Sequence, residues 1–268
     1  VMLLAAMMMT GCDSFLDITP TGKVIAKTGK EYRALLTYEY KNFPEDRGLA
    51  TLRGDEITLS KASTKAEDYD SYFDIWAWND LSQQSTTVSF GWRRYYHAIY
   101  IANYIIENKD KITEATADEI NQLVGEAYMM RAYCHFLLVN LFAEPYTHCN
   151  AATTRGVPLS LKADVNAVLS CSSVEQVYQQ VVDDVNEAKK HLTVEQWEEG
   201  YTYRFNTVSA DALMARVCLY KGDWQNALAA AQAVIEKHGA LEDLTTSKVL
   251  PNYYKSVESI VALEQVMT

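Results

Sequence analysis

The feature that most constrains the fold is a long apolar rhythm in the middle of the chain. Thr116-x-x-Glu119 is a capping box, a pattern that opens α-helices. Apolar residues then recur three or four positions apart, as on one face of a helix, until Pro145 closes the pattern. They are Ile120, Leu123, Ala127, Met130, Cys134, Leu137 and Leu141. This pattern predicts one long helix.

Three further segments carry helical signals. Thr28-x-x-Glu31 is a second capping box, and the helix it opens is predicted to span about 28–42. A helix over about 90–109 is predicted from apolar and aromatic residues on one stripe. Ser172-x-x-Glu175 opens another, with valines at helical spacing.

The last helical signal is a pair, 207–220 and 224–238, joined by Gly222-Asp223. Small residues at Ala215, Ala227 and Ala231 let two helix axes approach closely, as a tetratricopeptide repeat requires. Any antiparallel helix pair remains the alternative, since no strict repeat period runs through the chain. The predicted fold is all-α: a divergent tetratricopeptide-like helix-pair scaffold with long irregular loop insertions.

Two segments lack helical periodicity and are predicted to be those insertions. Residues 44–89 are rich in Ser, Thr, Asp and aromatics and are interpreted as loops with short turns. Residues 143–172 form a second long loop, and loops of this length are usually functional or interface-forming.

The N-terminus predicts export and lipidation. Residues 1–11 have the pattern of a lipoprotein signal remnant, an apolar run followed by small residues before Cys12. The run is too short to span a bilayer, which takes about 20 residues. Cys12 is the predicted lipidation site, 12–27 a tether and 28–268 the helical domain. The chain opens at Val1, so we expect that its true start is missing.

Composition excludes several partners. The formal net charge of −11 argues against nucleic acid and against electrostatic adhesion to anionic lipid, so a membrane would be reached through the lipid anchor only. Of the five cysteines, Cys134 and Cys218 are predicted to be buried. Cys149 and Cys171 are able to pair, although nothing in the spacing forces it. No cysteine or histidine spacing resembles a metal site, and no cofactor is predicted.

No catalytic constellation is recognisable, so the chain is predicted not to be an enzyme. None of the five histidines stands beside an exposed nucleophile, and the common catalytic motifs are missing from the sequence. Asp183 and Asp184 suggest a glycosidase pair, but neighbours on a helix point about 100° apart.

Candidate ligand contacts come from an aromatic-rich polar stretch, because sugar recognition favours aromatic faces flanked by polar groups. The stretch spans 69–80, and a second polar cluster begins at Arg53. The candidate binding residues are Arg53, Asp55, Tyr72, Trp76, Trp78 and Asn79.

The aromatic residues differ in whether we expect them to be buried. Core packing is favoured for Phe73 and Trp76, whereas exposure and burial both stay open for Tyr72 and Trp78. Aromatics on the stripe of the 90–109 helix are expected in the core, namely Trp92 and Tyr96. A further cluster, Trp197, Tyr201 and Tyr203, has no charge pattern that distinguishes packing from binding.

Several segments of the chain together carry a family resemblance. In chain order they are Cys12–Pro20, Trp92-x-x-x-Tyr96-x-x-Ile99-x-x-x-Asn103, Gly125–Tyr133 followed by Phe142–Pro145, Gly156–Leu159, Ser173–Tyr178, the pair 207–238 and Glu258–Ile260. In this order the segments resemble the SusD/RagB-type nutrient-uptake lipoproteins of the Bacteroidota. Two departures are Ala143, where the family commonly has Gly, and Met9 before the lipidated cysteine.

The resemblance implies an outer-membrane lipoprotein that faces the cell exterior. Such a protein binds glycans or related nutrients and delivers them to a SusC-like TonB-dependent barrel, without catalysis. Family members usually continue for about as long again past residue 268, so the chain is expected to be a piece that holds the helical scaffold. The alternative is a tetratricopeptide-type adaptor that grips a peptide, which predicts regular repeats and no export signal.

Overall fold

The computed structural model describes residues 26–44, 46–55, 57–81, 83–88, 90–250 and 253–263, without the side chains of 46 and 47. The signal remnant, Cys12 and nearly all of the tether lie outside these residues. Within them the fold is helical, as the sequence predicted, with a single two-stranded sheet that the sequence did not predict.

The helices are given in chain order. They are α1 (Gly29–Lys41), α2 (Ala66–Trp76), α3 (Arg93–Asn108), α4 (Ala117–Phe142), α5 (Val174–His191), α6 (Thr207–Lys221) and α7 (Trp224–Lys237). Short 3-10 helices cover Asp46–Arg53, Lys109–Lys111 and Tyr146–His148. The strands β1 (Arg155–Pro158) and β2 (Cys171–Ser173) pair antiparallel, with Arg155 opposite Ser173 and Pro158 opposite Cys171.

Side-chain caps fix where the helices begin. Thr28 with Glu31 and Thr116 with Glu119 form the predicted capping boxes of α1 and α4. The predicted start of α5 was wrong by one residue, because its capping box joins Ser173 to Gln176. Ser172 belongs to strand β2, so the helix begins only after the strand ends.

The prediction of loops and turns throughout 44–89 was wrong for eleven residues, which form α2. Only Asp74 and Ile75 of α2 are buried, and Lys65 gives it no side-chain cap. Tyr69, Tyr72, Phe73 and Trp76 stand three or four positions apart, as on one face of a helix, so the sequence does carry a short helical period that the prediction missed. These four side chains are half-buried. The other predicted loop, 143–172, contains the β1–β2 hairpin.

Helix α4 is the centre of the fold, packed between α3 and α5. Nearly every residue from Gln122 to Val139 is buried, including Ala127, Met130 and Cys134 of the predicted stripe. Gly125 allows the end of α5 to approach, since a Cβ there would lie 2.8 Å from the backbone N of Leu192.

The buried face of α3 is formed by Tyr95, Ala98, Ile99, Ala102 and Ile105. The prediction that Trp92 is a core residue was wrong, because Trp92 precedes the first turn of α3 and is exposed. Tyr96 is half-buried, and its hydroxyl donates to the Pro158 carbonyl oxygen at 2.8 Å.

The helix pair α6–α7 has the predicted turn. Gly222 has φ of 74°, a left-handed conformation that favours glycine, and Asp223 caps α7 by accepting from the Asn226 N–H. Ala227 is buried, whereas Ala215 and Ala231 are half-buried.

A buried ion pair joins the middle of the bundle. Arg131 on α4 donates to both carboxylate oxygens of Asp184 on α5, at 2.8 and 2.6 Å. Its third bond, 2.8 Å long, goes to the side-chain oxygen of Asn103 on α3. The Asn103 amide in turn donates to the carbonyl oxygens of Ser160 and Lys162, which fixes the loop that follows β1.

The ends of the helices define two regions of the molecule. At one end Arg94, at the start of α3, donates to the Asn42 carbonyl oxygen just after α1, and Trp92 packs on Phe142 at the end of α4. At the other end Thr113 bonds to the backbone of Lys27 and Gly29, next to the start of α4. With 26 residues, α4 is about 39 Å long between these ends.

No helix among the described residues is both long enough and apolar enough to cross a membrane.

Candidate functional site

Trp78 is the most exposed aromatic of the predicted binding stretch, with 62% of its surface accessible. It lies just past the end of α2, and its φ of 57° places it in the left-handed region that bulky residues seldom adopt. The Trp78 N–H donates to the Ile75 carbonyl oxygen at 3.2 Å. The backbone turn therefore projects the indole into solvent.

Asp74 holds that turn. Its backbone oxygen accepts from the Asn79 N–H at 2.8 Å, and one carboxylate oxygen accepts from the Asn79 side chain at 2.9 Å. The other carboxylate oxygen accepts from the Thr87 hydroxyl at 2.6 Å and the Gln84 N–H at 2.7 Å. These hydrogen bonds, the Thr87 bond foremost, lower the pKa of Asp74, so it is an anion at neutral pH.

Arg53 lies against the Trp78 ring. Its guanidinium carbon is 4.8 Å from the Trp78 ring centroid and 5.9 Å from that of Phe90. Arg53 also forms an ion pair with Asp80, whose side chain is half-exposed. The result is an indole platform with a cation over one of its faces and a carboxylate paired with that cation.

The other predicted contacts are only loosely associated with this platform. Trp76 and Tyr72 are half-buried on α2, and the Trp76 indole N–H donates to the Ile57 carbonyl oxygen at 3.3 Å. Phe73 is also half-buried, so Phe73 and Trp76 are packed only in part, whereas the sequence favoured core packing for both. Asp55 is exposed, and no hydrogen bond or ring contact within the described residues joins Asp55 or Tyr72 to Trp78.

The structure thus brings together Arg53, Trp78 and Asn79 of the six candidates. It adds Asp74, Asp80 and Phe90, which sequence reasoning did not select. Asp74 and Asp80 lie in the aromatic stretch itself, but their roles depend on a helix end that the sequence does not signal.

His135 and Asp184 make contacts inside the helical bundle. His135 is buried, and its Nε2 accepts from the Ser160 N–H at 3.4 Å. Burial, with the nearby Arg131 charge, lowers the pKa of His135 to about 3, so it stays neutral. Asp184 is paired with Arg131, whereas Asp183 is exposed and accepts from Gln179.

Among the described residues there is no group of three or more His, Cys, Asp or Glu side chains placed to hold a metal ion. No disulfide bond joins any two of the described cysteines, Cys134, Cys149, Cys171 and Cys218.

A family model for SusD-like proteins, described as "Starch-binding associating with outer membrane", matches residues 15–219. That range covers more than half of the chain. The chain belongs to the SusD-like family.

The relatives agree with this assignment. SusD-like protein P38 of Formosa agariphila is 31% identical over 161 residues, which is 59% of this chain and 28% of that protein. A SusD superfamily protein of Bacteroides thetaiotaomicron has TM-score 0.66 and 25% identity over 80% of this chain and 48% of its own. A laminarin-binding SusD-like protein has TM-score 0.64 and 22% identity, over 85% and 47% of the two chains.

The matched region therefore covers about half the length of these solved structures and less than a third of the length of SusD-like protein P38. The resemblance found in the sequence is confirmed, and so is the helical fold of SusD-like proteins.

Proposed function

We propose that this SusD-like chain binds glycans on the Trp78 platform and does not catalyse their cleavage. The observation that carries the proposal is the exposed Trp78 indole, held over Arg53 in a chain of a starch-binding family. A large aromatic surface in water costs free energy, and a ligand that covers it recovers that cost.

The platform suits a neutral sugar ring. The apolar face of a pyranose stacks on an indole, while hydroxyl groups at the ring edge bond to charged groups beside it. Arg53 lies over one face of the indole and pairs with the half-exposed Asp80, so a donor and an acceptor stand beside the ring. The name of one relative in fold, a laminarin-binding protein, also supports a neutral glycan as the ligand.

The cellular setting is part of the proposal. A lipid on Cys12 would anchor the chain to the outer membrane, facing the cell exterior, and the bound glycan would pass to a SusC-like TonB-dependent barrel. The lipobox pattern and the outer-membrane description of the family support this setting. Fractionation of cells that express Cys12→Ala tests the anchor, and an unchanged membrane pellet contradicts it.

Calorimetry against a panel of neutral oligosaccharides, maltotetraose and laminaritetraose included, tests the binding site. We expect Trp78→Ala to weaken binding about 2–12-fold, the range that one aromatic contact of 0.5–1.5 kcal/mol supports. Trp224→Ala is the matched control, because Trp224 on α7 is equally exposed. Undiminished binding by the Trp78 variant, or release of reducing sugar by the chain, contradicts the proposal.

A further inference from the structure

A cavity of about 470 Å³ lies at the end of the helices where α1 and α4 begin. Trp78 lies at the other end, because Arg53 holds it near Phe90, which precedes the start of α3. Its walls come from the start of α1, the start of α4 and the segment between α5 and α6. Its apolar lining includes Leu123, Val194 and Trp197. The volume falls in the range of small-molecule sites, about 300–1,000 Å³.

Buried hydrogen bonds build the floor of this cavity. The Gln122 side-chain oxygen accepts from the backbone N–H groups of Thr193 and Val194, at 2.9 and 3.0 Å. The Gln122 amide donates to Glu126 at 3.1 Å and to the Phe205 carbonyl oxygen at 3.2 Å. The segment between α5 and α6 is therefore fixed to α4 before any ligand arrives.

Arg204 brings a held cation to the cavity. Its guanidinium carbon lies 4.3 Å from the ring centroid of Tyr201, 5.1 Å from that of Trp197 and 5.4 Å from that of Tyr203. Its Nε donates to the Tyr203 hydroxyl at 3.3 Å. Three aromatic rings thus restrict the guanidinium to one place, which lowers the entropy lost when it binds.

Arg204 is the guanidinium of the cavity that has no carboxylate partner among the described residues; the other unpaired cation of the lining, Lys30, is exposed at the rim. Within the described ranges no acidic side chain lies within 4.0 Å of its guanidinium nitrogens. Arg33, the other guanidinium in the lining, is already paired with Glu126 at 2.8 Å.

The acidic residues of the lining do not replace that missing partner. The Glu119 carboxylate is bonded to the Thr116 N–H and hydroxyl, at 2.8 and 2.9 Å. Glu114 and Asp118 are exposed at the rim together with Lys30, where water screens their charges.

We propose that this cavity binds a sugar residue that carries a carboxylate, a uronate, with Arg204 as the group that recognises the anion. The planar guanidinium donates two parallel hydrogen bonds to a carboxylate, and it can donate two to a tetrahedral oxyanion as well, so a sulfated probe is needed to distinguish the two anions. Leu123, Val194 and Trp197 cover the body of the ring. That the ligand is a saccharide rests on the proposed function; that it is an anion rests on Arg204.

The test is calorimetry with tetragalacturonate, maltotetraose and a sulfated maltotetraose, in about 0.15 M salt to screen the chain's net charge. Four variants are compared with the wild type: Arg204→Gln, Arg204→Lys, Arg216→Gln and Trp78→Ala. Arg216 is an exposed arginine on α6 and is the matched control for lost charge. Thermal melting of each variant checks the fold.

We expect tetragalacturonate binding to fall at least about tenfold in Arg204→Gln, since hydrogen bonds to charged groups contribute about 1.5–3 kcal/mol. Arg204→Lys keeps the charge but loses the paired donors, so we expect its affinity for tetragalacturonate to lie between those of the wild type and Arg204→Gln. Arg216→Gln and Trp78→Ala bind tetragalacturonate as the wild type does.

Four results overturn the inference: no binding of tetragalacturonate, equal binding by Arg204→Gln, loss of uronate binding in Trp78→Ala, or equal affinity for the sulfated probe. None of them decides whether neutral glycans bind at Trp78. That question belongs to the neutral panel, so the two proposals fail separately.

Discussion

The two ends of the helical bundle carry aromatic clusters of opposite design. At one end Trp78 projects from an irregular turn and is 62% exposed, with its polar neighbours at the surface. At the other end Trp197 is half-buried in the lining of a cavity, beside an arginine that three rings restrain.

The difference lies in what holds each cluster. One buried carboxylate, that of Asp74, fixes the turn around Trp78 within its own sequence neighbourhood. The cavity is fixed instead by Gln122 of α4, which bonds to segments about 70 and 80 residues away in the chain. In our proposal the exposed indole of Trp78 binds the face of a neutral sugar, whereas the half-buried guanidinium of Arg204 in the cavity favours a negatively charged sugar.

The largest loss of stability is expected at the buried ion pair in the middle of the bundle, between the two ends. Arg131→Met leaves the Asp184 carboxylate buried without a cation, and removal of one partner of a buried pair costs about 3–5 kcal/mol. Urea unfolding measures the loss, and binding at both ends should weaken together. The double variant Arg131→Met/Asp184→Leu should recover most of the stability; no recovery would mean that the pair is not the cause.

The second effect concerns pH and the half of α4 nearer Trp78. The pKa of His135 is about 3 in the fold and about 6.5 in an unfolded chain. Between these values only the unfolded state binds the proton, so stability falls as the pH decreases from 6.5 towards 3. The slope contributed is about 1.4 kcal/mol per pH unit.

Urea unfolding at several pH values measures this slope. His135→Gln should flatten the acid side of the curve relative to the wild type, while His148→Gln, a change at an exposed histidine, should leave the curve unchanged. Parallel curves for wild type and His135→Gln would contradict the assignment.

The third effect separates the ends. Gln122→Leu removes the acceptor of two backbone N–H groups, and unsatisfied buried groups cost about 1–3 kcal/mol. We expect lower stability and weaker tetragalacturonate binding, with neutral glycan binding unchanged. Asn121→Leu, next to it on α4 and less buried, is the control. Calorimetry with both ligand types decides, and equal losses at both ends would remove the distinction.

The smallest effect is expected at the exposed end. Asp74→Ala frees the turn that presents Trp78, so neutral glycan affinity should fall a few-fold although Asp74 need not touch the ligand. Asp70→Ala, an exposed change on the same helix, should leave affinity unchanged. Calorimetry with the best ligand of the neutral panel measures both. A larger loss for Asp70 than for Asp74 would contradict the positioning role.

The sequence predicted those helices whose start and apolar spacing are determined by residues within the helix itself. Capping boxes and a 3,4 rhythm locate α1 and α4, because local hydrogen bonds set the first turn and apolar residues recur at helical spacing. Helix α2 has helical spacing only over the four rings from Tyr69 to Trp76, a short run among polar residues that was not recognised as a helix. The exposure of Trp78 depends on the end of that same helix, so it too stayed undecided.

The cavity could be predicted from the sequence even less than the exposure of Trp78. Trp197, Tyr201 and Tyr203 were recognisable as a cluster, but Arg204 acquires its role from rings folded around it. Gln122 meets its partners across long stretches of chain, and no local pattern marks such contacts.

The central claim, that two ends bind two kinds of sugar, is tested most directly by ¹⁹F NMR of the chain labelled with 5-fluorotryptophan. The five tryptophans give few enough signals to assign by single substitution, and two of them, Trp78 and Trp197, report on the two ends. We predict that the neutral ligand chosen by calorimetry shifts the Trp78 signal alone and that tetragalacturonate shifts the Trp197 signal alone. If both ligands shift the same tryptophan, the claim of two separate sites is wrong.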